Sequence, residues 1–313
     1  MICRMSERFF SKGLRALLPL CLVACLLPAA AEGAWPGKNG AIAFYRSWEG
    51  RQGDIWIAQP SGKQRRLTDS GSSEGSPVFS PDGKTIAFVR YGNQGSDIWL
   101  MNSDGTNKRL LVDNSHYDSE PHFFPGGRSL AFESSSSNGS RIFTIRTNGT
   151  ELQPWAGRAN DPAISADGRW FAYSRDDDVR AIVLEDLSTG KVRQLPSGVS
   201  WGLDFSPDSS RLVYTSRLRC RPRGNPRYAV MTIGLHGERP RVLLSACGRR
   251  AIPTGAVWSP NGKRLLVSRV EDLGSRPDNP HMVMVTPDGT LVPGAPRGPR
   301  RAFLGDASWQ PLR

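Results

Sequence analysis

One stretch decides the fold: Ser76-Pro-Val-Phe-Ser-Pro-Asp-Gly-Lys-Thr-Ile-Ala-Phe-Val-Arg90, followed by a short loop and by Asp97-Ile-Trp-Leu-Met-Asn-Ser-Asp-Gly-Thr106. Two short apolar runs, Ile86–Val89 and Ile98–Met101, are rich in β-branched and aromatic residues. Asp-Gly pairs bound them, and Asp-Gly tolerates the backbone conformations of tight turns. The stretch therefore predicts strand, turn, strand, in a unit too small to bury its faces alone.

The same unit recurs along the chain. The corner that reads Phe-Ser-Pro-Asp-Gly at residues 79–83 returns, with variations, at residues 123–127, 164–168, 205–209 and 258–262. Each corner is followed by another short apolar strand, and consecutive corners lie 41 to 53 residues apart. That spacing is about the length of one four-stranded propeller blade.

The number of repeats predicts a closed ring. Six third strands match Asp97-Ile-Trp-Leu, but there are only five complete corners. The sixth corner begins at Ser308-Trp-Gln-Pro311, and its continuation stands at Gly37–Tyr45. Pairing both chain ends in one blade removes the open edges of an array. We therefore predict an all-β fold, a six-bladed β-propeller of four-stranded antiparallel blades closed by the N- and C-terminal strands.

This repeat resembles the Pro-Asp-Gly, WD40-like repeat of the TolB family. The resemblance covers residues 37–311 and implies the propeller found in the C-terminal part of TolB. TolB also has an N-terminal α/β domain, for which this sequence leaves no room. The resemblance therefore implies the fold, and it does not carry over the role of TolB.

Residues 1–31 are predicted to be a signal peptide. Four basic residues precede an apolar run at Ala16–Leu27, and Ala29-Ala-Ala31 supplies small residues for cleavage. Two alternatives stay open: lipidation at Cys25, within Leu22-Val-Ala-Cys25, and an uncleaved anchor. In each case residues 32–313 form the propeller outside the cytoplasm, periplasmic or extracellular, with no transmembrane segment after signal cleavage.

Two cysteines remain outside the signal, Cys220 and Cys247. Both are predicted to lie in loops on one face of the fifth blade, and cysteines of exported proteins usually pair. We predict a disulfide between them.

The charge of the chain is basic. The formal net charge of +12 falls to +9 without the four basic residues and one acid of residues 1–31. A predicted basic surface comprises Arg217, Arg219, Arg221, Arg223, Arg249 and Arg250. It would attract an acidic ligand or protein, or it is simply a solvated surface. Nucleic acid does not fit, since the aromatic residues of a single-strand groove are missing.

One group of polar residues stands at equivalent positions of the predicted innermost strands. These strands would line a central channel, and the residues predicted to converge near its mouth are Glu120, His122, Asp161, Asp204 and Asp306. Carboxylates with one imidazole can bind a divalent cation or serve as acid and base, so Glu120, His122, Asp161 and Asp204 are candidate metal ligands. Alternatively, the acids cap turns and backbone N–H groups of the next blade.

The sequence contains neither a phosphate-binding loop nor His-Glu-x-x-His. We therefore predict a non-enzymatic binding module, a monomer without a cofactor, that holds an envelope protein or an acidic ligand. The alternative is a carbohydrate-active lyase or hydrolase that uses the acids at the channel mouth, with or without a divalent metal.

Overall fold

The computed structural model describes residues 35–48, 52–175, 181–195, 197–219, 226–236, 238–247, 252–270, 281–298 and 302–312. Within these ranges the chain forms 24 β-strands and no helix. No helix in the described part is therefore long and apolar enough to cross a membrane.

The strands fall into six units of four, which we number in chain order. The innermost strands of units 1 to 6 are β24 (Ala302–Leu312), β4 (Ser73–Phe79), β8 (Tyr117–Phe123), β12 (Ala159–Ile164), β16 (Ser200–Phe205) and β20 (Ile252–Trp258). The second strands are β1 (Lys38–Trp48), β5 (Thr85–Tyr91), β9 (Ser129–Ser136), β13 (Trp170–Arg175), β17 (Arg211–Arg219) and β21 (Leu265–Val270). The third strands are β2 (Asp54–Ala58), β6 (Ser96–Asn102), β10 (Gly139–Arg146), β14 (Ile182–Asp186), β18 (Pro226–Gly234) and β22 (His281–Val285). The outermost strands are β3 (Gln64–Arg66), β7 (Arg109–Val112), β11 (Gln153–Gly157), β15 (Lys191–Leu195), β19 (Arg241–Cys247) and β23 (Leu291–Val292).

Neighbouring strands within each unit pair antiparallel. Units 2 and 3 are joined into one eight-stranded sheet by a single parallel pair, Ser96 with Tyr117. In unit 1 the C-terminal strand β24 pairs with the N-terminal strand β1, from Lys38 opposite Leu312 to Trp48 opposite Ala302. The two ends of the described chain therefore share one sheet.

The repeated Ser-Pro-Asp-Gly corner is explained by its hydrogen bonds. The Asp82 carboxylate accepts from the Ser80 hydroxyl at 2.6 Å and from the Lys84 N–H at 3.0 Å, while the Thr85 N–H donates to the Ser80 Oγ. Gly83 closes the turn with a positive φ of 67°. Ser and Asp side chains thus hold the tight turn that sends the chain from the innermost strand to the second strand.

The hydrophobic core lies between consecutive units. Phe79, Ile86 and Phe88 of unit 2 pack with Ile55 and Ile57 of unit 1, and all five are almost fully buried. Each such side chain contributes about 1.5–3 kcal/mol by leaving water. Five aromatic side chains of the repeats belong to these clusters: Trp56, Trp99, Phe143, Trp258 and Trp309.

Each innermost strand contacts the innermost strand of the next unit, in the order β4, β8, β12, β16, β20 and β24. The last of them, β24, contacts β4. The predicted all-β class with four-stranded antiparallel units is confirmed. The predicted signal peptide and Cys220 lie outside the described residues, as do Arg221, Arg223, Arg249 and Arg250.

Candidate functional site

A central cavity of about 180 Å³ is lined by innermost strands of all six units. All five predicted site residues are in its lining: Glu120, His122, Asp161, Asp204 and Asp306. Four tryptophans add to its walls: Trp35 from the segment before β1, Trp201 from β16, Trp258 from β20 and Trp309 from β24. We call the end of the cavity nearest the Ser-Pro-Asp-Gly turns the corner end and the opposite end the mouth.

A β-bulge interrupts each innermost strand at the same position, shown by register shifts such as that between Ser119 and His122. Five of the six bulge residues have a positive φ: Ser76, Glu120, Asp161, Gly202 and Asp306. This region costs an L-residue roughly 1–2 kcal/mol, and glycine much less. Four non-glycine side chains are therefore held towards the cavity at a backbone position that favours glycine.

Two of these carboxylates accept hydrogen bonds from the backbone of the next unit. Asp161 Oδ1 accepts from the Gly202 N–H at 3.1 Å, and the Asp306 carboxylate accepts from the Ser76 N–H. The innermost strand is a sheet edge, so its N–H groups on the cavity side need partners from outside the ladder. Asp161 and Asp306 therefore tie consecutive units together, as the capping alternative predicted.

Glu120 is different from these two acids. Its side chain is exposed to water in the mouth, and it accepts a hydrogen bond from the Ser76 side chain. Desolvation by the surrounding protein raises the pKa of Glu120 well above the usual range, and the nearby carboxylates of Asp161 and Asp306 raise it further. In the described chain, no lysine, arginine or histidine forms an ion pair with any of these three carboxylates.

The neighbours of Glu120 respond to the same environment. Desolvation raises the pKa of Asp161 to about 7, with a further contribution from Glu133 and an opposing one from the Gly202 hydrogen bond. Desolvation, and after it the charges of Asp306 and Glu120, raises the pKa of Tyr91 to about 12. The mouth is thus a cluster of carboxyl groups whose raised pKa values reflect burial and mutual repulsion, and no cationic side chain of the described residues is paired with them.

A second polar layer lies closer to the corner end. His122 Nε2 of unit 3 is 3.9 Å from Asp204 Oδ1 of unit 5, so the pair spans unit 4. The other oxygen of Asp204 accepts a hydrogen bond from the buried backbone N–H of Trp258 at 2.7 Å. Burial raises the pKa of Asp204, while the nearby His122 imidazole lowers it.

The described residues contain no group of three or more His, Cys, Asp or Glu side chains that could hold a metal ion. Asp161, Asp204 and Asp306 each use a carboxylate oxygen on a backbone N–H. The arrangement is better suited to a positively charged organic group, which would donate hydrogen bonds to the carboxylates and needs no full coordination shell.

Several residues of the site were not among the sequence-based candidates. Ser76 occupies the bulge position of unit 2, and Tyr91 and Glu133 reach the mouth from second strands β5 and β9. Tyr91 and Glu133 carried no repeat signal, because they do not stand at the repeat positions of the innermost strand, and Ser76 stands at such a position but has no ionisable group. Of the basic candidates, Arg217 is described and exposed, whereas the side chain of Arg219 lies outside the described residues.

These features define a class: an all-β repeat domain with a polar cavity between the innermost strands of its units. A family model described as "TolB beta propeller domain" matches residues 33–225. The match covers more than half of the chain, and the chain therefore belongs to the TolB β-propeller domain family.

Individual relatives cover smaller or more distant portions. "Protein TolB homolog" of Chlorobium luteolum (strain DSM 273 / BCRC 81028 / 2530) is 46% identical over 59 residues, 18% of this chain. The matched segment spans only 13% of that relative's length.

Among solved structures, TolB from Acinetobacter baumannii has a TM-score of 0.71 at 17% identity, covering 87% of this chain and 67% of that chain. Hydrazine synthase of Kuenenia stuttgartiensis has a TM-score of 0.68 at 12% identity, covering 90% and 47% respectively. At these identities the likeness shows the fold alone, because one fold hosts many functions.

Proposed function

We propose that the chain is an exported, non-enzymatic binding module of the cell envelope, whose six units are the blades of a closed propeller ring. The cyclic order of contacts between innermost strands and the pairing of β24 with β1 support ring closure. Membership in the TolB β-propeller domain family supports a role in the envelope. The signal peptide at residues 1–31 and a periplasmic or extracellular location belong to the same proposal, as does a monomeric state.

The mouth of the cavity would hold a positively charged group of a protein partner. One observation carries this proposal: Glu120, Asp161 and Asp306 converge at an opening that water reaches, without an ion-pair partner in the described chain. A guanidinium or ammonium group entering there would relieve the repulsion among the carboxylates and form charge-assisted hydrogen bonds.

An acidic ligand would be repelled at this mouth. The acidic ligand expected from the overall charge would instead bind the predicted basic surface, of which Arg217 is an exposed member. The proposed Cys220–Cys247 disulfide would hold the same part of the chain, and non-reducing peptide mapping of the exported protein tests it.

A pair of peptides tests the proposed function. We would measure binding of a hexapeptide with one central arginine and of the same peptide with citrulline, which is neutral and almost isosteric. The arginine peptide is expected to bind at least about tenfold more tightly, a difference of about 1.4 kcal/mol. Glu120→Gln should abolish the difference, while Asp69→Asn, at an exposed position away from the cavity lining, should preserve it. Equal binding of both peptides to the unmodified protein would refute the proposal.

A further inference from the structure

The two ends of the central cavity are built differently. At the mouth, the side chains of Glu120 and Asp306 are exposed. At the corner end, the indole of Trp35 is only 6% exposed although it lines the same cavity. Water therefore reaches the cavity lining at the mouth, whereas a large aromatic ring occupies the corner end.

Trp35 is held by contacts with several units. Its Nε1–H donates to the Phe79 carbonyl of unit 2 at 3.3 Å, and its ring belongs to the hydrophobic cluster that contains Phe123 of unit 3. Two residues later, the Gly37 N–H donates to the Pro260 carbonyl of unit 6 at 3.2 Å. The segment from Trp35 to Gly37 thus crosses between units at the corner end.

The distance between this segment and the carboxylates follows from strand geometry. Glu120 lies three residues before Phe123 on β8, and a strand rises about 3.3 Å per residue, so the two levels are about 10 Å apart. The cavity volume of about 180 Å³ is below the roughly 300–1,000 Å³ of sites that enclose a whole small ligand. The space suits one long side chain or one chain end.

We propose that Trp35 closes the corner end and makes the cavity a blind socket, which receives a ligand end-on through the mouth. The ligand class is a side chain or chain terminus that carries a positive charge, and a polymer threaded through the ring is excluded. The choice of a positive charge rests on the proposed function. The closure by Trp35 does not, because it follows from the burial and contacts of the indole.

Cysteine labelling tests the closure. Val78 lines the cavity between the bulge of unit 2 and the corner end, so Val78→Cys places a thiol inside the socket. We would compare the labelling rates of two small thiosulfonate reagents, one ending in an ammonium and one in a sulfonate. Each rate is normalised to that with a free thiol, and the parent protein gives the background from its own cysteines.

With Trp35 in place, both reagents must pass the carboxylates. The cationic reagent is therefore expected to react about tenfold faster than the anionic one, the lower part of the range for charged clefts. Trp35→Ala in the same background should accelerate the anionic reagent about tenfold by opening the corner end, with little change for the cationic reagent. Glu120→Gln should reduce the preference for the cation.

Two results would overturn the inference. One is equal labelling by both reagents while Trp35 is present, and the other is an anionic rate that Trp35→Ala leaves unchanged. If Trp35→Ala fails to fold, Trp35→Leu is used instead. Leucine retains an apolar contact but is smaller than the indole, so it opens the corner end in part, and the labelling rate of the anionic reagent is measured with this variant. The labelling needs no partner, so loss of the peptide preference with an intact labelling pattern would reject the proposed function and keep the blind socket.

Discussion

Asp161→Asn should stabilise the protein more in mildly alkaline solution than in mild acid. Asparagine keeps the oxygen that accepts from the Gly202 N–H and removes the charge beside Glu120. The pKa of Asp161 is raised from 3.8 to about 7 in the folded protein, so the folded state binds the proton more tightly than the unfolded state. This contribution to stability is complete below the unfolded pKa and is lost as the pH rises through 7.

The magnitude follows from the same linkage. One pKa unit corresponds to about 1.4 kcal/mol, and the folded-state pKa of about 7 lies about two units above pH 5. Between pH 5 and pH 8 the Asp161 carboxyl can therefore lower the free energy of unfolding by at most about 3 kcal/mol. Water reaches the carboxylate in the cavity and screens it, so we expect the stabilisation by the variant to be about 1–1.5 kcal/mol larger at pH 8 than at pH 5, a difference of about 2–5 °C in the shift of Tm.

The assay is the melting temperature of the wild type and of Asp161→Asn at pH 5 and at pH 8. Asp69→Asn serves as the matched control, since Asp69 is exposed and does not line the cavity. The rise in melting temperature of the variant over the wild type should be larger at pH 8 than at pH 5. A loss of stability of equal size at both pH values would show that the Asp161 charge is compensated in the folded state, and the account of an uncompensated mouth would be wrong.

Three further substitutions test the geometry, each by denaturant unfolding. Glu120→Gly should be about 1 kcal/mol more stable than Glu120→Ala, because φ is 47° there; equal stability would remove the argument from backbone strain. Gly83→Ala should cost about 1–2 kcal/mol more than Gly190→Ala, since both have positive φ but only at Gly83 would a Cβ meet the Pro311 carbonyl, at 2.7 Å. Asp204→Ala should cost about 1–3 kcal/mol by leaving the buried Trp258 N–H without a partner, and Asp204→Asn should cost less; the reverse order would contradict that role.

The repeat made the fold predictable from the sequence. Ser80 and Asp82 bond within their own turn, so the corner motif specifies local structure wherever it occurs. The alternation of apolar residues on either side of each corner then fixes which strands pair. For the same reason the pairing of β24 with β1 could be expected from half a corner at each end of the chain.

The site was predictable in membership but not in chemistry. Equivalent repeat positions brought Glu120, Asp161 and Asp306 together in one cavity lining. An acid of the site accepts a backbone hydrogen bond only where the neighbouring unit presents an N–H group to it. The positions of those N–H groups are set when the units assemble, so the sequence pattern does not show them. The position of Trp35 likewise depends on contacts with three units, and a tryptophan before the first strand carries no repeat signal.

A crystal structure of the mature protein with the arginine hexapeptide would test the central claim most directly. The account predicts a closed ring of six blades, with the guanidinium inside the mouth at hydrogen-bond distance from the Glu120 carboxylate and with Trp35 at the far end. A guanidinium bound on the outer surface, beside an empty cavity mouth, would contradict it.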